Sequence, residues 1–161
     1  MHMVSGIFRK RSLLLLLGLF LLQLPLACTR GEVELKNTVS AYTKMLAQSL
    51  AKPNSNQMEF FTTPAERNRI DGYILYLRKD GKVIINTLKS LKFSTVEVDG
   101  NKNARVTTNE EWTFHYVDEK SRQPISEEEQ IRYRNIYHLV KEQGHWVVEK
   151  VEMTEQQAPQ K

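Results

Sequence analysis

Between Gly81 and Leu88 the apolar residues of this 161-residue chain change from a helical to a strand spacing, and that switch limits the folds open to it. Upstream, Leu35, Val39, Tyr42, Leu46 and Leu50 recur at helical intervals with Lys36, Lys44 and Gln48 between them, and Lys52-Pro53-Asn54 ends the run. A loop or short helix around Gln57–Phe61 leads to a second start signal. Thr63 can cap, Pro64 suits the first helical position, and Glu66 completes a capping box. Ile70, Tyr73, Ile74 and Leu77 then make one apolar stripe, and Gly81 suits a left-handed stop.

Downstream, Leu88–Val98 alternates and is rich in β-branched residues, and Asp99-Gly100-Asn101-Lys102 is a turn signal. Ala104, Val106, Thr108, Glu110, Trp112, Phe114 and Tyr116 fall on one side of a long second strand. Asp118–Glu127, with Pro124, reads as a loop. Ile131, Tyr133, Asn135, Tyr137 and Leu139 alternate again, Gln143-Gly144 turns the chain, and Trp146–Val151 makes a last strand. Strands joined by short polar turns pair most simply as an antiparallel meander. The expectation is an α+β domain over residues 33–153, its N-terminal helices packed on a curved antiparallel sheet, followed by a polar, frayed tail at 154–161.

Residues 1–27 have the three parts of a secretory signal. Arg9-Lys10-Arg11 precedes Leu13–Leu22, and Gln23 and Pro25 close the apolar run short of the ~20 residues that cross a bilayer. An uncleaved single span is the alternative, although polar Thr29-Arg30-Gly31-Glu32 follows at once. The segment holds three basic residues and no acidic ones, so its removal cuts the formal net charge of +4 to +1. A near-neutral mature protein loses the electrostatic case for a nucleic-acid partner.

Cys28, the one cysteine, stands directly after this segment and has no partner for an internal disulfide. Leu26-Ala27-Cys28 resembles the end of a lipobox, the cleavage and lipidation signal of bacterial lipoproteins, with Pro25 where that signal usually has Leu. The resemblance implies cleavage before Cys28, lipid on its sulfur, and 28–32 as a short tether to a membrane. One acyl chain holds marginally and two or three permanently, at ~0.8 kcal/mol per buried methylene. Thr29, rather than Asp, implies the periplasmic face of the outer membrane in a Gram-negative cell. The competing reading is a free thiol.

The strand motifs Ala104-x-Val106, Glu110-x-Trp112, Tyr137-x-Leu139, Gly144 and Trp146-x-Val148 resemble the C-terminal sheet of the nuclear transport factor 2-like superfamily. Within it, the chain is similar to small bacterial lipoproteins and to the intermembrane-space domain of a plastid division protein. The resemblance covers about residues 33–153 and implies a cone-shaped pocket between helices and sheet, with Val106, Glu110, Trp112, Tyr133 and Tyr137 as its candidate lining. Glu110 and Glu111 point to opposite sheet faces. If Glu110 faces the helices, desolvation could make it a general base. Its plainer role is a buried carboxylate bonded to Tyr133 or Tyr137.

No catalytic residue, cofactor or metal is assigned. His115 and His138 could meet across neighbouring strands and His145 sits at a turn, without the further ligands that a metal needs. Apolar residues occupy both strand faces, Ile136 and Val140 opposing Tyr137 and Leu139, and Val147 and Val151 opposing Trp146 and Val148. A homodimer partner or an envelope protein could cover the second face. Two functions follow: a lipid-anchored, non-catalytic binding or assembly module, or a cone-pocket enzyme or small-ligand carrier.

Overall fold

The computed structural model of the chain describes residues 26–157, with side chains from residue 31 onward. The signal segment through Pro25 lies outside the described residues, as does the side chain of Cys28, whose backbone falls in the first helix.

Helix α1 (Leu26–Ala51) takes in the stretch expected to be a tether and carries its apolar stripe into the core. Leu35, Val39, Tyr42 and Leu50 are buried, and Leu46 packs against them. A short 3-10 helix (Asn56–Phe60) inserts Met58 into the same core. Helix α2 (Pro64–Lys79) starts at Thr63, whose hydroxyl accepts the amide of Glu66. Only half of a capping box forms. The amide of Thr63 donates instead to the Val148 carbonyl, and the Glu66 carboxylate turns inward. Ile70, Ile74 and Leu77 are buried, whereas Tyr73 is 41% exposed. Gly81, at φ +67°, takes the left-handed position after the helix.

Four antiparallel strands follow in the order of the chain: β1 (Lys82–Asp99), β2 (Asn103–Asp118), β3 (Glu129–Glu142) and β4 (His145–Gln157). The architecture is the expected α+β arrangement of two helices on a curved four-stranded meander. Gln143 and Gly144, at φ +48° and +88°, form the two-residue hairpin that joins β3 to β4. The tail expected to fray from Thr154 is paired as far as Gln157, which lies opposite Arg132.

The register explains the curvature. Strands β2 and β3 pair without interruption, while each edge strand carries two bulges. In β1 the extra residues are Lys89 and Ser94, and in β4 they are Glu149 and Thr154. A bulge bends its strand and raises the local twist, so extra residues on both edges curl the sheet around the helices. The Ser94 hydroxyl accepts from Asn109 Nδ2 at 2.8 Å, and the Thr154 hydroxyl donates to the Arg134 carbonyl at 3.0 Å, which ties two of the bulges to their neighbours.

Each bulge also shifts the side-chain alternation by one residue. Past Glu149, Val151 lies opposite Tyr137 and packs on the helix-facing core. It therefore does not oppose Trp146 and Val148, as strict alternation predicts. His115 and His138 do not meet either, because His115 is opposite Ile85 and His138 is opposite Arg105. Two edges remain to be managed. On β4, Thr63 donates to the Val148 carbonyl and Val148 donates to the Phe61 carbonyl, so the chain entering α2 covers part of that edge. On the inner face Ala104, Val106, Tyr137, Leu139, Trp146 and Val148 close the core against both helices.

Candidate functional site

Two carboxylates are buried on the helix-facing side of the sheet, and their partners shape everything around them. Glu110, at the middle of β2, is 4% exposed. It receives the Thr108 hydroxyl at 2.7 Å and the Tyr137 hydroxyl at 2.6 Å on Oε1, and the Trp112 indole N–H at 2.8 Å on Oε2. Thr108 and Trp112 flank it at i−2 and i+2, so the pleat aims all three side chains to the same face. Tyr137 belongs opposite Val106 and leans along β3 to reach the carboxylate. Tyr133, directly opposite Glu110 in register, is not its hydrogen-bond donor. Of the two tyrosines offered by the sequence, Tyr137 is the one bonded.

Glu66 is the second buried carboxylate, 2% exposed, and spacing alone marked it only as a helix-start residue. Tyr42 of α1 donates to its Oε1 at 2.6 Å. Arg69, one turn on, grips both oxygens with Nε at 2.9 Å and Nη2 at 2.8 Å. A buried Glu with no partner would be costly, and this bidentate pair supplies the charge that offsets it. The rings of Tyr42 and Tyr137 meet edge to face at 5.7 Å between centroids. Two buried polar groups, Arg69–Glu66–Tyr42 and Tyr137–Glu110, thus meet through the contact of their tyrosine rings to form one polar chain broken only there.

These contacts set the tyrosine ionisations. Burial first, then the nearby Glu66, holds the Tyr42 hydroxyl well above its ordinary value of 10.0. Burial first, then Glu110, does the same for Tyr137. Tyr73 is pushed up to about 12, chiefly by burial and then by Tyr116. Tyr133 is raised chiefly by burial, with smaller contributions from Tyr116 and Glu110.

Above the polar chain the cone is open. A cavity of about 440 Å³ lies between α1, α2 and the sheet. Glu110, Trp112, Tyr133 and Tyr137 line it, together with Tyr42, Arg69 and Asn86. Val106 does not: it is fully buried in the core beneath. The cavity size falls in the range that small organic ligands occupy. Asn86 carries a buried Oδ1 with no hydrogen-bond partner. Sequence spacing did not mark Arg69 or Asn86, because helix and strand bring them to the cavity from outside the strand motifs; Tyr73, read only as part of the apolar stripe of α2, lines it too.

Among the described residues no three His, Cys, Asp or Glu side chains converge on a metal-sized site, and no helix is long and apolar enough to cross a membrane.

No family model and no curated protein matches the sequence. Among solved structures, the chain is similar to the intermembrane-space region of the chloroplast protein ARC6. The TM-score is 0.63 at 16% identity, over 73% of this chain and 92% of that one. It also aligns with a putative calcium/calmodulin-dependent protein kinase II association domain from Xanthomonas campestris, with a TM-score of 0.44 at 18% identity, over 71% of this chain and 83% of that one. At such identities the first likeness speaks to fold alone, and it agrees with two helices packed on a curved meander. The chain has the nuclear transport factor 2-like fold.

Proposed function

We propose that the chain is a lipid-anchored module of the cell envelope that binds and does not catalyse. The carrying observation is the state of Glu110. It is the one carboxyl at the cone wall without a basic partner, and both of its oxygens are held by Thr108, Trp112 and Tyr137. A general base needs a lone pair aimed at substrate. Here three short bonds hold the group as a fixed part of the wall.

The anchor reading rests on the run Leu13–Leu22 and on Cys28 following it. It implies an outer-membrane lipoprotein facing the periplasm in a Gram-negative source. Mass spectrometry of the mature N-terminus tests it. Lipid on Cys28 is expected, and Cys28→Ser should release the protein from the membrane fraction. An unmodified thiol, or a chain that still begins at Met1, overturns the anchor.

A homodimer or an envelope protein on the outer sheet face is supported by Ile136 and Val140, which are half-buried on the face opposite Tyr137 and Leu139. Cross-linking in intact cells followed by pull-down should recover a second copy or an envelope protein. Recovery of monomer alone counts against that face. A second reading, that the cone carries a small ligand, is favoured by the open cavity of about 440 Å³.

A further inference from the structure

The charge within the cone is unbalanced. Glu66 is neutralised by Arg69, the one basic residue on the cavity wall, whose Nε and Nη2 are both committed to that carboxylate. Glu110 has no such partner: among the described residues no ion pair reaches it, and its three hydrogen-bond donors are all neutral groups. The Trp112 indole can only donate. Among the described residues no basic side chain offsets the Glu110 carboxyl, so its oxygens form a negative pole on the cavity wall.

The walls complement this. Tyr73, Trp112, Phe114, Tyr116 and Tyr133 all border the cavity. Aromatic faces carry negative quadrupole charge and attract cations that shed water easily. The buried, unpartnered Oδ1 of Asn86 adds a third negative pole on the wall. An anionic ligand would meet the Glu110 carboxyl and electron-rich rings, beside an arginine already neutralised by Glu66. A neutral apolar ligand would leave the charge of Glu110 unanswered.

We propose that the cone cavity binds a hydrophobic organic cation, an alkyl- or aryl-ammonium group held by the aromatic walls above Glu110. The inference rests on the small-ligand reading of the cone. Glu110 acts through space, since Thr108, Tyr137 and Trp112 already occupy three of its four acceptor positions.

The test uses the full chain in a non-ionic detergent and three probes of similar size: phenyltrimethylammonium, its uncharged carbon isostere tert-butylbenzene, and benzoate. Binding is followed by tryptophan fluorescence, with Trp112 on the wall as reporter. The ammonium should bind about tenfold or more tighter than the isostere, and benzoate weakest. Glu110→Gln should abolish the preference, and retained binding of the isostere shows that the variant is folded. Tyr133→Leu removes one ring and no observed hydrogen bond, so it should weaken the ammonium more than the isostere. Equal affinity for ammonium and isostere overturns the cation inference and leaves the carrier reading standing. Tighter binding of benzoate does the same. Binding of none of the three overturns both.

Discussion

Replacing Tyr137 by Phe tests the polar floor of the cone with little change of shape, since the ring stays in a site only 2% exposed. The variant loses one donor, the hydroxyl 2.6 Å from Oε1 of Glu110. Hydrogen bonds to charged groups are worth about 1.5–3 kcal/mol, against about 1 kcal/mol for neutral pairs. Thr108 and Trp112 remain on the carboxylate, so it is not stripped of partners. The expected loss is therefore near the middle of that range, about 2 kcal/mol. Urea unfolding followed by tryptophan fluorescence measures it at pH 7, with the m-value unchanged.

The pH dependence supplies a second readout on the same variant. The folded Tyr137 hydroxyl has its pKa raised above the ordinary 10.0, by burial first and then by Glu110. A raised folded value means that its stabilisation is complete below pH 10 and is lost as pH climbs toward the folded value. The slope in that window is about 1.4 kcal/mol per pH unit. Phe has no proton to lose, so the gap between wild type and variant should narrow above pH 10. A loss below about 0.5 kcal/mol at pH 7, the usual scatter of neutral substitutions, would refute the Glu110–Tyr137 contact as a stabilising element.

Three further substitutions probe the frame that holds the cone. Leu139→Ala empties a site that is 1% exposed in the core and should cost about 2–5 kcal/mol, read as a fall in the urea midpoint. Thr63→Ala removes the hydroxyl that accepts the Glu66 amide and should cost about 1 kcal/mol by the same assay, with the loss concentrated in faster amide exchange at the start of α2. Gly144→Ala places a Cβ at φ +88° in open space, so its cost is conformational alone. About 1–2 kcal/mol is expected by thermal unfolding, and no loss would mean that the β3–β4 turn is not held in this conformation.

Much of this fold was legible in one sequence because the signals are local. Helical spacing placed Leu35, Val39, Tyr42 and Leu50 on one buried stripe, and the Thr63-Pro64 start marked the second helix to the residue. Period-2 spacing put Ala104, Val106, Thr108, Glu110 and Trp112 on one face of β2, and all five are buried there. It worked on β2 because that strand pairs with β3 without a bulge. On β4 the same rule failed at Val151, because the extra residue Glu149 resets the alternation.

The site divides along the same line. That Glu110 shares a face with Thr108 and Trp112 followed from the pleat, whereas packing decided that this face meets the helices. The donor from β3 did not follow: register sets Tyr133 opposite Glu110, and only the lean of a long side chain down the strand brings Tyr137 to it. The inward turn of Glu66 had no sequence signal, since its partner Tyr42 lies 24 residues away on another helix. The sequence by itself determined the two helices, the meander and which residues share a face of β2, because these depend on neighbours a few residues apart. The bulged edges, the Tyr42–Tyr137 contact and the open cone depend on groups brought together from distant parts of the chain, and tertiary packing alone decided them.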